Sequence, residues 1–397
     1  MDQKEEIMTA TKQERRQQAA PAQSVDVVED FDYSNHSDSY NQAFKAWRKD
    51  EKNDYVFRCK QGTEVVYVEG KGYSASDPAA EERSAMVRIN VVIGVAMLCY
   101  LLIENLLSVV LMGVFHLIGI DVNYTYSDNT LYGNQTAVLL ILMAESLLKY
   151  LVPILIFHHF FRMPRSVSAQ LRPYVPAEML SSFFITIAAF SVSNIWLLFS
   201  SVNIISYSAL GNAYYAVSYM SPAYQMIYML YELLIVTALT EIMLHGEVFH
   251  VLRQFGDWYA VAVTSMLAVC AAHSPVTVLM EFVVSVIAGC AVLRSGSLLS
   301  AIFNRIACRV ILLVLFLMEI QPSHRMYIYR PWFLVGLLMV GLVGMVLFTN
   351  PARKRCGLVT QKHYLSPRQR LVVLQRSGPL AITFGLCLVL MVIEVVF

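Results

Sequence analysis

From Arg88 to the C-terminus the chain is a string of apolar runs with short breaks. They lie near 88–119, 136–160, 179–203, 223–250, 256–273, 275–293, 297–318, 332–349 and 378–397. Most reach the ~20 residues that an α-helix needs to cross about 30 Å of hydrocarbon. In lipid every backbone N–H and C=O must find a partner within the protein, and since nothing suggests a β-barrel such runs fold as helices. Only 15% of the residues are charged, 57% are apolar, and the mean hydropathy is +0.53. An average soluble protein carries about 25% charged residues, and a soluble globule of this chain would leave large apolar patches in water. The sequence predicts an all-α, polytopic helical membrane protein with about eight or nine transmembrane helices. A net charge of +1 excludes the strongly basic surface of a nucleic-acid binder. The seven cysteines form no CxxC pair and five lie within apolar runs, which argues against a disulfide framework and against a zinc ribbon.

Residues 1–85 read as a polar segment and 86–397 as a multi-span membrane domain. Residues 1–60 hold ten Lys/Arg and twelve Asp/Glu. Met1–Tyr40 has few large apolar residues and reads as disordered. Asn41–Asp54 has the makings of a short helix. Tyr55–Tyr73 alternates and carries Gly70-Lys71-Gly72, the pattern of a small hairpin. With 85 polar residues first, no signal peptide is expected.

Loop charge orients the bundle. The loops 120–135 and 204–222 contain no Lys or Arg, whereas 161–178 carries Arg162, Arg165 and Arg172. Arg253 and Arg294 follow the fourth and sixth runs, and 350–377 carries seven basic residues and no acid. An excess of basic loops on one side predicts that side, and the N-terminus with it, to be cytoplasmic at the cell membrane, or at an endomembrane in a eukaryote. Arg325 and Arg330 dissent mildly. The basic 350–377 loop is read chiefly as a topology signal and only secondarily as a contact for anionic headgroups.

A charge at bilayer depth is costly unless paired or wetted, so each ionisable residue inside a run is a candidate site. These are Glu104, His116, Glu145 with Lys149, Glu232, Glu241 with His245, His273, Glu281 and Glu394. Glu145 and Lys149 stand four apart on one helix face, the spacing of a structural ion pair. Glu104, Glu232 and Glu281 read as hydrogen-bonded to neighbouring helices, and Glu394 as interfacial. Glu241 and His245 share a face, but Glu241-Ile-Met-Leu-His245 lacks the HExxH order of a zinc peptidase. No metal and no cofactor are expected.

Residues 223–312 resemble the CPBP family of intramembrane proteases, which includes the CAAX prenyl endopeptidases and the Abi proteins. The family pattern is a helix carrying EExxxRG, then FxxxH, then a helix carrying HxxxN or HxxxD. Here the first motif aligns on Thr240-Glu241-Ile242-Met243-Leu244-His245-Gly246, the second on Val269-Cys270-Ala271-Ala272-His273, and the third on Asn304-Arg305-Ile306-Ala307-Cys308. Leu293-Arg294-Ser295-Gly296-Ser297-Leu298 is similar to the small-residue turn before the last motif helix. The resemblance implies that Glu241 and His273 form a water-activating pair, with His245 and Asn304 as supporting groups. It also shows four polar replacements: Thr240 for the first Glu, His245 for Arg, Asn304 for the second His and Cys308 for Asn. Losing one oxyanion donor can cost roughly 10²–10³ in rate.

With these replacements the resemblance implies a catalytically impaired relative, acting in binding, scaffolding or immunity-type protection. Its partners would be membrane lipid and a prenylated or hydrophobic peptide or a partner membrane protein. The alternatives are an active, diverged endopeptidase using Glu241 and His273, and a transporter or channel. One geometric tension is visible in the sequence. Helical alternation puts Glu241 and Asn304 toward the cytoplasmic side and His273 at the opposite corner of its hairpin, whereas the resemblance implies that Glu241 and His273 meet.

Overall fold

The computed structural model describes residues 25–31, 37–61, 66–68, 72–74, 77–125, 130–195, 209–320, 324–348 and 364–396. After α1 (Asp38–Lys49) come α2 (Pro78–Leu117), α3 (Gln135–Phe161), the single turn α4 (Arg165–Ser168), α5 (Pro176–Ile195) and α6 (Ala209–Val217). They are followed by α7 (Pro222–Arg253), α8 (Asp257–Ala272), α9 (Val278–Ser295), α10 (Leu298–Ile320) and α11 (His324–Phe348). The last two helices are α12 (Pro367–Arg376) and α13 (Gly378–Val396). Among the described residues seven helices are long and apolar enough to cross a membrane, or eight if α12 and α13, bent by 83°, count as one span. The protein is an all-α polytopic membrane protein.

The count differs from nine because of α8. It has 16 residues, about 24 Å at 1.5 Å per residue, short of a hydrocarbon core of about 30 Å. It stops at His273, whose backbone is left-handed (φ 34°) and whose N–H closes the helix on the Val269 carbonyl. Glycine usually fills this position, because a side chain there is sterically strained. Five residues later α9 starts back along α8, so the hairpin expected at Ser274-Pro275 is present.

The N-terminal segment is not a separate tail. Helix α1 is capped by Ser37, whose hydroxyl accepts from the Tyr40 N–H, and it buries Tyr40, Phe44 and Trp47. Together with Phe31, Val56, Phe57 and Cys59 these side chains join the main core cluster of the bundle. Trp47 Nε1 and Asn53 Nδ2 both donate to the Phe161 carbonyl at the end of α3, at 2.8 and 2.9 Å. Arg253 Nη1 donates to the Tyr40 hydroxyl at 2.9 Å, and Gln254 accepts from the Phe57 N–H at 2.7 Å. Lys45 and Lys49 clasp Glu29 at 2.5 and 2.6 Å, and their hydrogen bonds and charge hold its carboxyl down at about 2. Sparse apolar content predicted disorder through Tyr40; the few large side chains present suffice because the bundle end supplies the rest of their core. Residues 1–24 lie outside the described residues. Strand β1 (Val25–Asp26) pairs antiparallel with β2 (Lys60–Gln61). The expected hairpin is β3 (Val66–Val68) against β4 (Gly72–Ser74), with Tyr67 opposite Tyr73.

The bundle is built on α2, whose 40 residues span about 60 Å. It packs along α3 and α13. Its first turns reach past the apolar layer, where buried Glu82 pairs with Arg370 of α12 at 2.6 Å and accepts from the Tyr364 and Leu365 N–H groups. The 350–377 loop reads chiefly as a topology signal in the sequence; Arg370 is instead a buried strut, and 349–363 lies outside the described residues. Arg330 likewise lies inside α11, 3.6 Å from Glu319 of α10. Helix α5 packs against α9, α10 and α11. At the other end of the bundle, β5 (Val122–Thr125) and β6 (Thr130–Gly133) form an antiparallel hairpin between α2 and α3.

The crossing of α2 and α13 turns on Gly94. A Cβ there would lie 2.2 Å from the Leu380 backbone nitrogen, and Thr383 Oγ1 donates to the Gly94 carbonyl at 3.2 Å. A Cβ at Gly113, on the same helix, would meet nothing within 4 Å. Gly94→Ala is therefore expected to lose about 1–3 kcal/mol by overpacking, while Gly113→Ala gains up to about 1 kcal/mol from helix propensity. Thermal unfolding in detergent checks both; equal gains would mean that α2 and α13 do not touch at Gly94.

Candidate functional site

Helix α7 is not a uniform α-helix. Glu232–Val236 and Ile242–Val248 are π-helical, and Thr237–Glu241 between them is α-helical. Such widened turns change which residues face inward and are frequent at functional sites. Glu241 ends the α-helical turn, and His245 and Gly246 lie in the second π segment. The Gly246 position admits no side chain without displacing α4, since a Cβ would stand 2.7 Å from the Ser168 carbonyl oxygen.

Glu241 is fully buried, and both its carboxyl oxygens are held. Oε2 lies 2.6 Å from His245 Nδ1, and Oε1 accepts from Arg305 Nε of α10. Arg305 Nη1 donates to Glu281 Oε2 of α9 at 2.5 Å. His245 Nε2 lies 3.2 Å from the Ser285 carbonyl and 3.5 Å from its hydroxyl. One guanidinium thus ties α7, α9 and α10 together through two carboxylates, with no water-facing face on Glu241.

The other motif residues sit apart from Glu241. His273 Nδ1 lies 3.7 Å from Glu104 Oε2 and 3.3 Å from the Ala271 carbonyl. Glu104 in turn pairs with Lys149 at 3.2 Å, and the Tyr100 hydroxyl donates to the Ala271 carbonyl at 3.0 Å. The Lys149 ammonium stands over the Tyr100 and Tyr150 rings, 5.9 and 5.6 Å from their centroids. Asn304 is buried, and its Nδ2 donates to Ser182 Oγ of α5 at 3.3 Å. Cys308 packs with Ile187, Val284 and Leu312 in an apolar cluster.

A cavity of about 530 Å³ lies between His273 and Arg305. Glu104, Lys149 and His273 line one part, and Glu281, Arg305 and Arg309 another; Tyr124, Thr130 and Leu131 bring it to the β5–β6 end of the bundle. Thr240 and Leu244 belong to the wall, but Glu241, His245 and Asn304 are not among the described residues that line it. The structure brings Glu241 and His245 together and places His273 on the cavity, with Arg305 standing between the two settings.

Two sequence readings change. Lys149 pairs across helices with Glu104, and the described residues show no ion pair between Lys149 and Glu145, which meets the Ser108 side chain instead. Glu232 does bond a neighbouring helix, through Ser146 Oγ at 2.6 Å, and Glu281 is ion-paired rather than only hydrogen-bonded. The side chain of Glu394 lies outside the described residues. Sequence reasoning passed over Arg305 and Arg309, although an arginine within an apolar run is itself a signal of a partner. Among the described residues no three of His, Cys, Asp and Glu gather to hold a metal ion.

No protein-family model, no curated protein and no solved structure matches the chain.

Proposed function

We propose that this membrane protein is a CPBP-type relative that binds rather than hydrolyses, its cavity being the binding volume. The observation that carries the reading is the capture of Glu241. A general base must reach the water proton that it removes, and here one carboxylate oxygen is committed to Arg305 and the other to His245. The amide of Asn304 donates to Ser182 of α5, and Asn304 is not among the described residues that line the cavity. The order of the aligned motifs along α7, α8 and α10 supports the ancestry; the meeting of Glu241 with His273 that the resemblance implies does not, since His273 lies against Glu104. A hydrophobic peptide or a partner membrane protein is the class of ligand this reading favours, with lipid around the bundle.

The N-terminal side is assigned to the cytoplasm. The loop after α3, the α7–α8 corner and the α9–α10 turn lie at the end of the bundle where α1 docks. Gln170 Nε2 donates to Ser37 Oγ at 3.1 Å, and the Leu298 N–H donates to the Gln170 carbonyl at 2.8 Å. That end gathers Arg162, Arg165, Arg172, Arg253 and Arg294, the charge bias of a cytoplasmic face.

The purified protein in detergent is expected to give no cleavage of prenylated peptides above that of Glu241→Gln. Turnover that disappears in Glu241→Gln would overturn the non-hydrolytic reading and restore an active endopeptidase.

A further inference from the structure

Besides the Lys149–Glu104 and Arg305–Glu281 pairs, the cavity contains ionisable groups of both signs that are not ion-paired among the described residues. Glu145 and Glu232 both line it, yet among the described residues neither has a cationic side chain within ion-pair distance. They lie within electrostatic range of one another and of Lys149, whose ammonium is committed to Glu104. Their side-chain partners are hydroxyls, Ser108 for Glu145 and Ser146 and Tyr228 for Glu232.

On the facing helix, Arg305 and Arg309 stand one turn apart and both line the cavity. Arg305 is 4% exposed, and among the described residues its Nη2 has no hydrogen-bond partner although Nε and Nη1 are bound. Arg309 Nη1 donates to the Glu232 backbone carbonyl at 2.8 Å, and no carboxylate lies within ion-pair distance of it among the described residues. That bond fixes the Arg309 head beside the Glu232 backbone, while the Glu232 carboxyl is drawn to Ser146. At bilayer depth opposite charges free to meet would do so, because leaving them apart costs several kcal/mol. The fold holds Glu145, Glu232 and Arg309 apart by giving each a neutral partner. A cavity in which Glu145, Glu232 and Arg309 have no ion pair among the described residues, and the ion-paired Arg305 keeps an unused donor, is complementary to a molecule that carries both signs itself.

We propose that the cavity binds a small amino-acid-type zwitterion, its ammonium at Glu145 and Glu232 and its carboxylate at Arg305 Nη2 and Arg309. The volume lies within the range of about 300–1,000 Å³ typical of small-molecule sites. The cavity already shows how it holds an alkylammonium: Lys149 is held by one carboxylate and two tyrosine rings, the setting in which cation–π attraction adds to the ion pair. This proposal rests on the reading of the cavity as a binding volume and names its ligand class; it uses Glu145, Glu232 and Arg309, not Glu241.

The test is calorimetric titration of the full-length protein in detergent with glycine, 4-aminobutyrate and 6-aminohexanoate, which vary the spacing of the two charges. Acetate, butyrate, hexanoate, ethylamine, butylamine and hexylamine are the singly charged controls. At least one zwitterion should bind saturably and at least tenfold more tightly than both controls of its length. Glu232→Gln should weaken that zwitterion at least tenfold while sparing carboxylate controls, and Arg309→Met should do the same while sparing amine controls. Glu145→Gln, at a half-buried position, gives a second carboxylate variant, and thermal unfolding of each variant reports whether it folds. Controls that bind as tightly as the zwitterions, or no saturable binding by any of the three, overturns the proposal. The probes contain no peptide bond, so this outcome is independent of the peptide-cleavage result that decides the non-hydrolytic reading.

Discussion

Arg305→Met is expected to destabilise the protein by about 3–5 kcal/mol, the usual cost of removing one partner from a buried ion pair. Arg305 is the only guanidinium bound to both Glu241 and Glu281 among the described residues. Without it Glu241 keeps only His245, and Glu281 loses its ion pair altogether. Glu241 would then be fully buried with nothing equivalent to replace the cation, and the half-buried Glu281 would face the cavity without it. The size of the effect comes from the stranded carboxyls, not from the intrinsic strength of the pair. Glu241→Gln should accordingly rescue part of the loss when combined with Arg305→Met, with a coupling of about 0.5–3 kcal/mol, as expected for residues in one network. Thermal unfolding of the four proteins of this cycle in one detergent gives the answer. A neutral Arg305→Met would mean that the α7–α9–α10 junction is held by aliphatic packing, and the capture of Glu241 would lose its structural basis.

Trp47→Ala is expected to cost about 3–5 kcal/mol, the range for truncating a buried large aromatic, although residue 47 lies outside every span. Trp47 is 4% exposed, stacks on Phe44 at 5.7 Å, and reaches the Phe161 carbonyl at the end of α3. Asn53 also donates to that carbonyl, so the substitution does not orphan it and the loss is one of packing. Gln42→Ala, exposed on the same helix, should stay within about 0.5 kcal/mol. The measurement is thermal unfolding of the whole protein. A transition for Trp47→Ala that matches the unaltered chain would show that the N-terminal segment folds and melts apart from the bundle.

The contrast between these two sites shows what a one-dimensional reading reaches. Glu241 and His245 were legible as a pair because i and i+4 on a helix are neighbours whatever surrounds them. The same rule misassigned Lys149. An i,i+4 pair is worth only about 0.2–0.5 kcal/mol, and Glu104 on the adjacent helix offered Lys149 a carboxylate flanked by two tyrosine rings. Hydropathy also carried α8 to full span length, since a run of apolar residues looks alike whether it crosses the bilayer or stops inside a bundle. The π segments of α7 left no trace in the periodicity.

The sequence alone determined that the chain crosses a membrane as helices, because continuous apolar runs of this length satisfy their backbone polar groups in lipid as helices, and the short alternating segments of a closed barrel are not its pattern. It also determined which end of the bundle is basic, and that several ionisable residues must find company within it. The tertiary structure decided whose company. That choice set Glu241 behind Arg305, left His273 on the cavity and drew the aromatic residues of the N-terminal segment into the core. Helix formation is fixed by neighbours along the chain, whereas the pairing of buried charges and the closing of a core depend on residues hundreds of positions apart, such as Tyr40 and Arg253 or Glu82 and Arg370.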